Sequence, residues 1–175
     1  MQISGSKIRL RVLDKSDWEL FRILNTCPKI MEHVYEPFSL EETKKRFQER
    51  IQPWNDQSDQ WLGFAIDQIE SGKAIGSIGL KITNHQAKIA EVGYLLKMEA
   101  HGKGFASEAL SLIKQYAFAT LHFNKLAASC SSKNIGSYKV LEKVGFLREG
   151  CLKQNSILKG KYIDDYIYGL CSSDL

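Results

Sequence analysis

The sequence predicts an α/β protein with a mixed, mostly antiparallel sheet of about seven strands and flanking helices. Three strand-like runs, 61–69, 74–82 and 88–96, follow one another across short turns, which is typical of an antiparallel meander. A helical segment at 105–121 then leads to a strand at 125–130, as in a crossover between parallel neighbours. Two further strand-like runs, 146–152 and 161–170, close the sheet.

The N-terminal part predicts one strand and two helices. Residues 8–13 alternate apolar and basic side chains, which indicates a strand with one solvated face. A helical pattern runs from Asp14 to about Cys27. The string Ser39-Leu40-Glu41-Glu42 has the spacing of a capping box and predicts a helix that ends near Ile51. We expect loops over the segments 25–38 and 153–161.

Length and composition predict one ordinary globular domain over residues 1–175. The chain is long enough for one buried core, and two domains would be cramped. No run of about 18 apolar residues occurs, so we expect no membrane span. The first ten residues lack the features of a signal peptide, so we expect a cytoplasmic protein.

The charged residues and the cysteines exclude several function classes. Twenty-four basic residues against 20 acidic ones give a net charge of +4, which suits an anionic cofactor. The basic residues do not form the clustered face that nucleic-acid binding requires. The four cysteines show no Cys-x-x-Cys spacing and no His-Glu-x-x-His string occurs, so we expect neither a metal site nor a disulfide framework.

A glycine turn at 101–107 is the strongest candidate for a binding site. It joins a predicted strand to a predicted helix, and the first N–H groups of such a helix have no intrahelical partners. Gly102 and Gly104 carry no Cβ, so an anion can approach the backbone closely, and Lys103 would add a full positive charge. The turn therefore suits a diphosphate, although a turn that only joins strand to helix remains an alternative.

The sequence of this turn matches neither of two common phosphate-binding loops. The chain contains no Gly-x-x-x-x-Gly-Lys-Ser/Thr string, which a P-loop needs. A dinucleotide-binding fingerprint needs a glycine at position 107 and an acid about 20 residues later, and the chain has Ser107 and no acid between 121 and 128. The turn does resemble the acetyl-CoA pyrophosphate loop of the GNAT N-acetyltransferases at Gly104 and Ala106, while His101 stands where that family usually has Gln or Arg.

Three further strings strengthen this resemblance. Residues 134–146 resemble the Asn-x-x-Ser-x-x-Val-Leu-Glu-Lys-x-Gly-Phe signature of the RimJ/RimL-type branch of the GNAT superfamily. Residues 90–94 look like the family's fourth strand, and residues 160–165 resemble its closing hairpin. The four strings occur in the family's order, and the resemblance spans essentially the whole chain.

The resemblance implies the GNAT fold with acetyl-CoA as cosubstrate. The fourth and fifth strands, here 88–96 and 125–130, would splay apart, and the pantetheine arm would lie between them. A backbone N–H near residues 94–96 would hold the acetyl carbonyl. The cofactor-binding residues would then be Tyr94, Leu95, Leu96, His101, Gly102, Lys103, Gly104, Phe105, Ala106, Ser107 and Asn134.

Two residues are the catalytic candidates. Glu91, on the fourth strand, would take the proton of the amine, directly or through a water molecule. Many members of the family assist the leaving thiolate with a tyrosine where this chain has Leu141. The RimJ/RimL-type pattern gives that role to a serine, here Ser137, which we favour over the adjacent Tyr138.

We therefore expect an acetyl-CoA-dependent N-acetyltransferase whose acceptor is the α-amine of a protein N-terminus. A small amine, either a polyamine or an aminoglycoside, is the alternative acceptor. A domain that binds acyl-CoA without turnover is the alternative from another class. We expect no nucleic-acid or membrane partner and either a monomer or a homodimer, between which the sequence does not decide.

Overall fold

The computed structural model describes residues 1–174 and contains the predicted mixed sheet. The strands are β1 (Gln2–Ser4), β2 (Ile8–Val12), β3 (Leu62–Gln68), β4 (Ala74–Asn84), β5 (Ile89–Leu96), β6 (Lys125–Ser131), β7 (Leu147–Leu158) and β8 (Lys161–Cys171). The α-helices are α1 (Trp18–Thr26), α2 (Pro28–Met31), α3 (Leu40–Arg50), α4 (Phe105–Gln115) and α5 (Ile135–Val144).

The sheet has eight strands rather than about seven, in the order β1-β2-β3-β4-β5-β6-β8-β7. The additional strand, β1, is only three residues long and pairs with β2, so it left little periodicity to detect. All neighbours are antiparallel except β5 and β6. The predicted meander and the predicted parallel crossover through α4 are both confirmed.

The helix starts follow the local sequence. Ser39 and Glu42 form the predicted capping box, in which the serine side chain accepts from the Glu42 N–H and the glutamate accepts from the Ser39 N–H. A second capping box at Asp14 opens a short 3-10 turn at 15–17 that leads into α1. The helix predicted over 105–121 is α4, extended by a π turn over 116–120.

The end of the chain differs from the sequence-based expectation. The strand predicted to stop at residue 152 continues as β7 to residue 158, so the expected loop over 153–161 is wrong. Two register shifts, between Arg148 and Gly150 and between Leu152 and Ser156, absorb extra residues while the pairing with β8 continues. Bulged residues break the period-2 pattern, so the sequence signal ends before the strand does.

The two faces of the sheet carry different helices. Helices α4 and α5 cover one face with the larger core cluster, which includes Leu110, Ile113 and Leu141. Helices α1 and α3 cover the other face with a smaller cluster around Leu24 and Phe47. Side chains along β5 alternate between these faces, so residues 91, 93 and 95 face the α1 and α3 side while residues 92, 94 and 96 face α4 and α5.

Candidate active site

The parallel strands β5 and β6 separate after a short paired segment. Their register covers only residues 89–91 of β5 against 125–127 of β6. Residues 128–131 of β6 still pair with β8 but have no partner on β5. A gap therefore opens between residues 92–96 and 128–131. The predicted splay is therefore confirmed.

Backbone groups of β5 line this gap. The Lys97 N–H donates to the Ile75 carbonyl of β4 at 2.9 Å. Because successive residues of a strand direct their N–H and C=O groups to opposite sides, those of Tyr94 and Leu96 point to the β6 side, where pairing has ended. The Leu95 groups point to β4, so this residue reaches the gap less well than its neighbours.

The turn between β5 and α4 presents unpaired amides. Gly102 and Gly104 have φ angles of +73° and +83°, a conformation that glycine adopts without steric cost. Within residues 1–174, none of the six N–H groups from Gly102 to Ser107 donates a hydrogen bond, and the first helical bond of α4 starts at Glu108. A Cβ at Gly102 would meet nothing within 4 Å. The amides are therefore open to an anion, as the sequence predicts.

The side chains of His101 and Lys7 make different contacts at the turn. The His101 ring lies 3.1 Å from the Leu96 carbonyl, so it fastens the turn to the end of β5. Lys7 lies just before β2, and its ammonium donates to the Lys103 carbonyl at 3.5 Å. No local pattern in the sequence places Lys7 here, because 96 residues separate it from Lys103.

Other residues of the turn serve the core. Phe105 is 6% exposed and its ring lies in the main core cluster, so only its backbone N–H is open to a ligand. Ala106 packs against the same cluster. Leu96 is also buried, with 8% of its surface exposed. The side chains of these residues therefore belong to the core.

A cleft of about 540 Å³ adjoins the splay. It collects Glu91, Tyr94 and Leu95 from β5 together with Asn134 and Ser137 from the start of α5. The residues from His101 to Ser107 do not line it, so the predicted site residues form two groups, one at the turn and one in the cleft. The loop before α3 and the α3 helix form the opposite wall.

Glu91 is the half-buried carboxylate of the cleft floor. It lies directly opposite Lys81 on β4 and opposite Ala127 on β6, at the last pair before the strands separate. Burial raises the pKa of Glu91, and the charge of Lys81 opposes this effect. A raised pKa brings a carboxylate closer to the pKa of an amine, which suits proton transfer.

Ser137 lies on the other face of the sheet in contact with Tyr94. The Tyr94 hydroxyl is 3.1 Å from the Ser137 carbonyl, to which it donates, and 3.2 Å from the Ser137 hydroxyl. Burial raises the pKa of Tyr94 to about 12, so this phenol stays protonated at neutral pH. Burial also raises the pKa of Cys130 to about 11, while a hydrogen bond with Ser137 lowers it.

Asn134 and Tyr138 occupy the positions that a helix start dictates. The Asn134 side chain accepts from the Ser137 N–H at 3.1 Å and caps α5, and it also borders the cleft. Tyr138 does not line the cleft, and its ring packs 5.8 Å from that of Tyr166. Of the two candidates for assisting the thiolate, only Ser137 faces the cleft.

An open strand edge beside a run of free amides suits a ligand with peptide-like groups along one arm and a diphosphate at its end. Coenzyme A has this chemistry, so the fold and the site define a CoA-dependent acyltransferase. The chain belongs to the GNAT family, because residues 7–147 match its Acetyltransferase (GNAT) domain. It is an N-acetyltransferase that uses acetyl-CoA and an amine acceptor.

Relatives and solved structures agree with this assignment. The uncharacterized N-acetyltransferase p20 of Bacillus licheniformis is 30% identical over 94% of this chain and 92% of its own. The putative ribosomal N-acetyltransferase YdaF of Bacillus subtilis is 30% identical over 71% of this chain and 68% of its own. The spermidine N-acetyltransferase of Vibrio cholerae, solved with CoA and spermine, superposes with a TM-score of 0.85 at 25% identity, covering 97% of this chain and 98% of that one.

Across residues 1–174, every helix is too short or too polar to cross a lipid bilayer.

Proposed function

We propose that the chain acetylates the α-amine at a protein N-terminus, with Glu91 as the general base. An α-amino group has a pKa of about 7.7–8.0 against about 10.4 for a lysine, so it needs less help to lose its proton. Burial raises the pKa of Glu91, which brings this half-buried carboxylate closer to the pKa of such an amine. The position of Glu91 in the cleft, at the point where β5 and β6 separate, is the observation that carries this proposal.

The proposed reaction moves one proton and one acetyl group. The amine nitrogen bonds to the acetyl carbon as the carbon–sulfur bond breaks, and Glu91 receives the proton that the nitrogen loses, directly or through a water molecule. A backbone N–H of Tyr94 or Leu96 in the gap holds the carbonyl oxygen as negative charge develops on it. Ser137 donates a hydrogen bond to the departing sulfur, and the Tyr94 hydroxyl orients the serine.

The proposed cofactor contacts divide between the turn and the gap. The six amides from Gly102 to Ser107 bind the diphosphate, with Lys103 and Lys7 as nearby positive charges. Asn134 borders the gap where it caps α5. The backbones of Tyr94 and Leu96, which face the gap, align the pantetheine arm, as in strand addition.

A polyamine is the second candidate acceptor, because two similar proteins are named spermidine acetyltransferases. The charges of the cleft argue against it. Glu32 and Glu36, which could attract a polycation, both contact Lys159 at the tip of the β7–β8 hairpin. The cleft itself is lined by more cationic side chains than carboxylates, and Asp56 is not among the lining residues.

Kinetics of Glu91→Gln and Ser137→Ala test the proposal. With an N-terminal peptide as acceptor, we expect kcat to fall about 10²–10⁴-fold in the Glu91 variant, because the proton has no acceptor. CoA affinity, measured by calorimetry, should stay the same in both variants. Rates unaffected in both would overturn the catalytic assignments, and a wild-type protein that binds CoA but acetylates no amine would be a binding module.

A further inference from the structure

Three glycines lie side by side on the floor of the cleft. Gly63 of β3 is paired with Gly79 of β4, which is paired in turn with Gly93 of β5. A Cβ at Gly63 would come within 2.9 Å of the Arg50 side chain, and one at Gly93 within 3.3 Å of the Trp61 ring. The row of glycines therefore makes room for a guanidinium and an indole directly on the sheet.

The two arginines that α3 contributes to the cleft are stacked on aromatic rings. The Arg50 guanidinium lies 4.5 Å from the centre of the Trp61 ring, and that of Arg46 lies 4.0 Å from the centre of the Phe38 ring. Stacking occupies the faces of a guanidinium and leaves the N–H groups at its edge free. Within residues 1–174, neither arginine donates a hydrogen bond or forms an ion pair, and both line the cleft.

The Arg50 guanidinium is charged at neutral pH. Burial, followed by the repulsion from Arg46, lowers the pKa of Arg50 only to about 10. Burial raises the pKa of Tyr35, the charges of Glu91 and Asp165 raise it further, and the charge of Arg46 opposes them. The Tyr35 side chain therefore lies within the electrostatic fields of both Arg46 and Glu91, the proposed base.

The carboxylates of the cleft leave this positive charge unbalanced. Glu91 lies opposite Lys81, and Asp165 accepts hydrogen bonds from Asn155 and Ser156 at 2.9 and 3.0 Å. Within residues 1–174, neither carboxylate reaches Arg46 or Arg50 at ion-pair distance. Among the described residues, Arg50 is a partly buried cation without an ion-pair partner, which is costly unless a ligand supplies an anion.

We propose that Arg46 and Arg50 bind a carboxylate of the acceptor, so that the enzyme selects an N-terminus followed by an acidic residue. This inference rests on the proposed function and names its substrate class. Guanidinium groups match carboxylates with two parallel hydrogen bonds, which gives both affinity and orientation.

The spacing along the sheet fits a peptide. Arg50 lies over Gly79 of β4. Gly79 pairs with Gly93, two residues along β5 from Glu91, so the diagonal from Gly79 to Glu91 across the sheet is about 8 Å. An extended chain covers about 3.3–3.6 Å per residue, so a carboxylate on the second or third residue reaches the guanidiniums while the amine stays at Glu91. The carboxylate of a free amino acid, attached to the same carbon as the amine, is too close to span this distance.

Matched acceptors test this inference. The wild-type enzyme with acetyl-CoA is assayed on the hexapeptide amides Ala-Asp-Asp-Ala-Ala-Ala and Ala-Asn-Asn-Ala-Ala-Ala and on free alanine. We expect kcat/KM for the acidic peptide to exceed that for the neutral one by at least about 10-fold. Arg46→Gln, at an exposed position of α3 where folding is safe, should reduce this ratio towards 1. Lys45→Gln, on the same helix but outside the cleft, should keep it.

Three outcomes would overturn the inference: equal use of the two peptides, a ratio that survives Arg46→Gln, or a clear preference for free alanine. Calorimetric binding of both peptides to the CoA-loaded protein separates this failure from failure of the proposed function. Tight binding of the acidic peptide without acetylation would keep the carboxylate site and refute the proposed reaction. Acetylation of both peptides at equal rates would refute the carboxylate site and keep the proposed reaction.

Discussion

Glu91 combines a structural cost with the proposed chemical role. Its carboxylate is half-buried beside the gap, so the folded state disfavours its ionised form and raises its pKa. The surrounding strand string singles out this position in the sequence, but only the burial of the carboxylate in the fold shows that its pKa is raised. The partner of Ser137 could not be predicted in this way, because Tyr94 lies 43 residues earlier and only the packing of α5 on the sheet brings the hydroxyls together.

The pH dependence of Glu91→Gln tests the raised pKa. A carboxyl group with a raised folded-state pKa contributes stability that is present below its unfolded pKa of about 4.3 and is lost as pH rises through the folded value. The Glu91→Gln variant has no ionisable group at this position, so it does not lose this stability as pH rises. We therefore expect its unfolding temperature, relative to wild type, to increase from pH 4 to pH 8 in thermal melts. A difference that is flat across this range would contradict a raised pKa.

Tyr94→Phe tests the contact with Ser137. The variant keeps the ring and removes the hydroxyl that holds the serine, so we expect kcat to fall about 10-fold, equivalent to about 1.4 kcal/mol of activation free energy. Unfolding should become easier by about 0.5–1.5 kcal/mol, the usual net value of one hydrogen bond. Tyr138→Phe is the control, because that residue lies outside the cleft. Equal kinetics in the two variants would exclude a role for the Tyr94 hydroxyl.

At the scale of single elements, local chemistry determines the helix starts and the glycine turn. The Ser39 box and the Asn134 cap lie where their spacing predicts, and the positive φ of Gly104 matches its place before α4. Strand ends are harder to predict, because the bulges of β7 depend on pairing with β8 and not on the sequence of β7 alone. The three-residue β1 is fixed in the same way by its partner β2.

Gly104→Ala tests the turn, with Gly72→Ala as the matched control. Gly72 also has a positive φ, +64°, and lies in the β3–β4 turn, where an added methyl group would meet no atom within 4 Å. Each substitution should destabilise the fold by about 1–2 kcal/mol, because alanine strains the left-handed conformation. Only Gly104→Ala should weaken CoA binding, by at least about 10-fold in calorimetry, since its methyl occupies the space of the diphosphate. Equal CoA affinities in the two variants would refute this assignment.

At the scale of the molecule, segments far apart in sequence build the two ends of the site. Lys7 reaches the glycine turn from the first hairpin, and Glu36 accepts the Lys159 N–H at 2.6 Å, which joins the loop before α3 to the β7–β8 hairpin. The order of strings along the chain was sufficient to predict the family and its cosubstrate. The proposed acceptor site was not predictable, because the positions of Arg46 and Arg50 depend on how α3 lies over the glycines of three strands.

We propose that the free amides of residues 102–107 bind the diphosphate of CoA and so aim the thioester into the gap between β5 and β6. Parallel calorimetric titrations of the wild-type protein with CoA and with pantetheine, which lacks the diphosphate and the 3′-phosphoadenosine attached to it, test this contact. We expect CoA to bind at least about 100-fold more tightly, a difference of about 2.7 kcal/mol. Equal affinities for the two ligands, or no heat with CoA, would contradict the account.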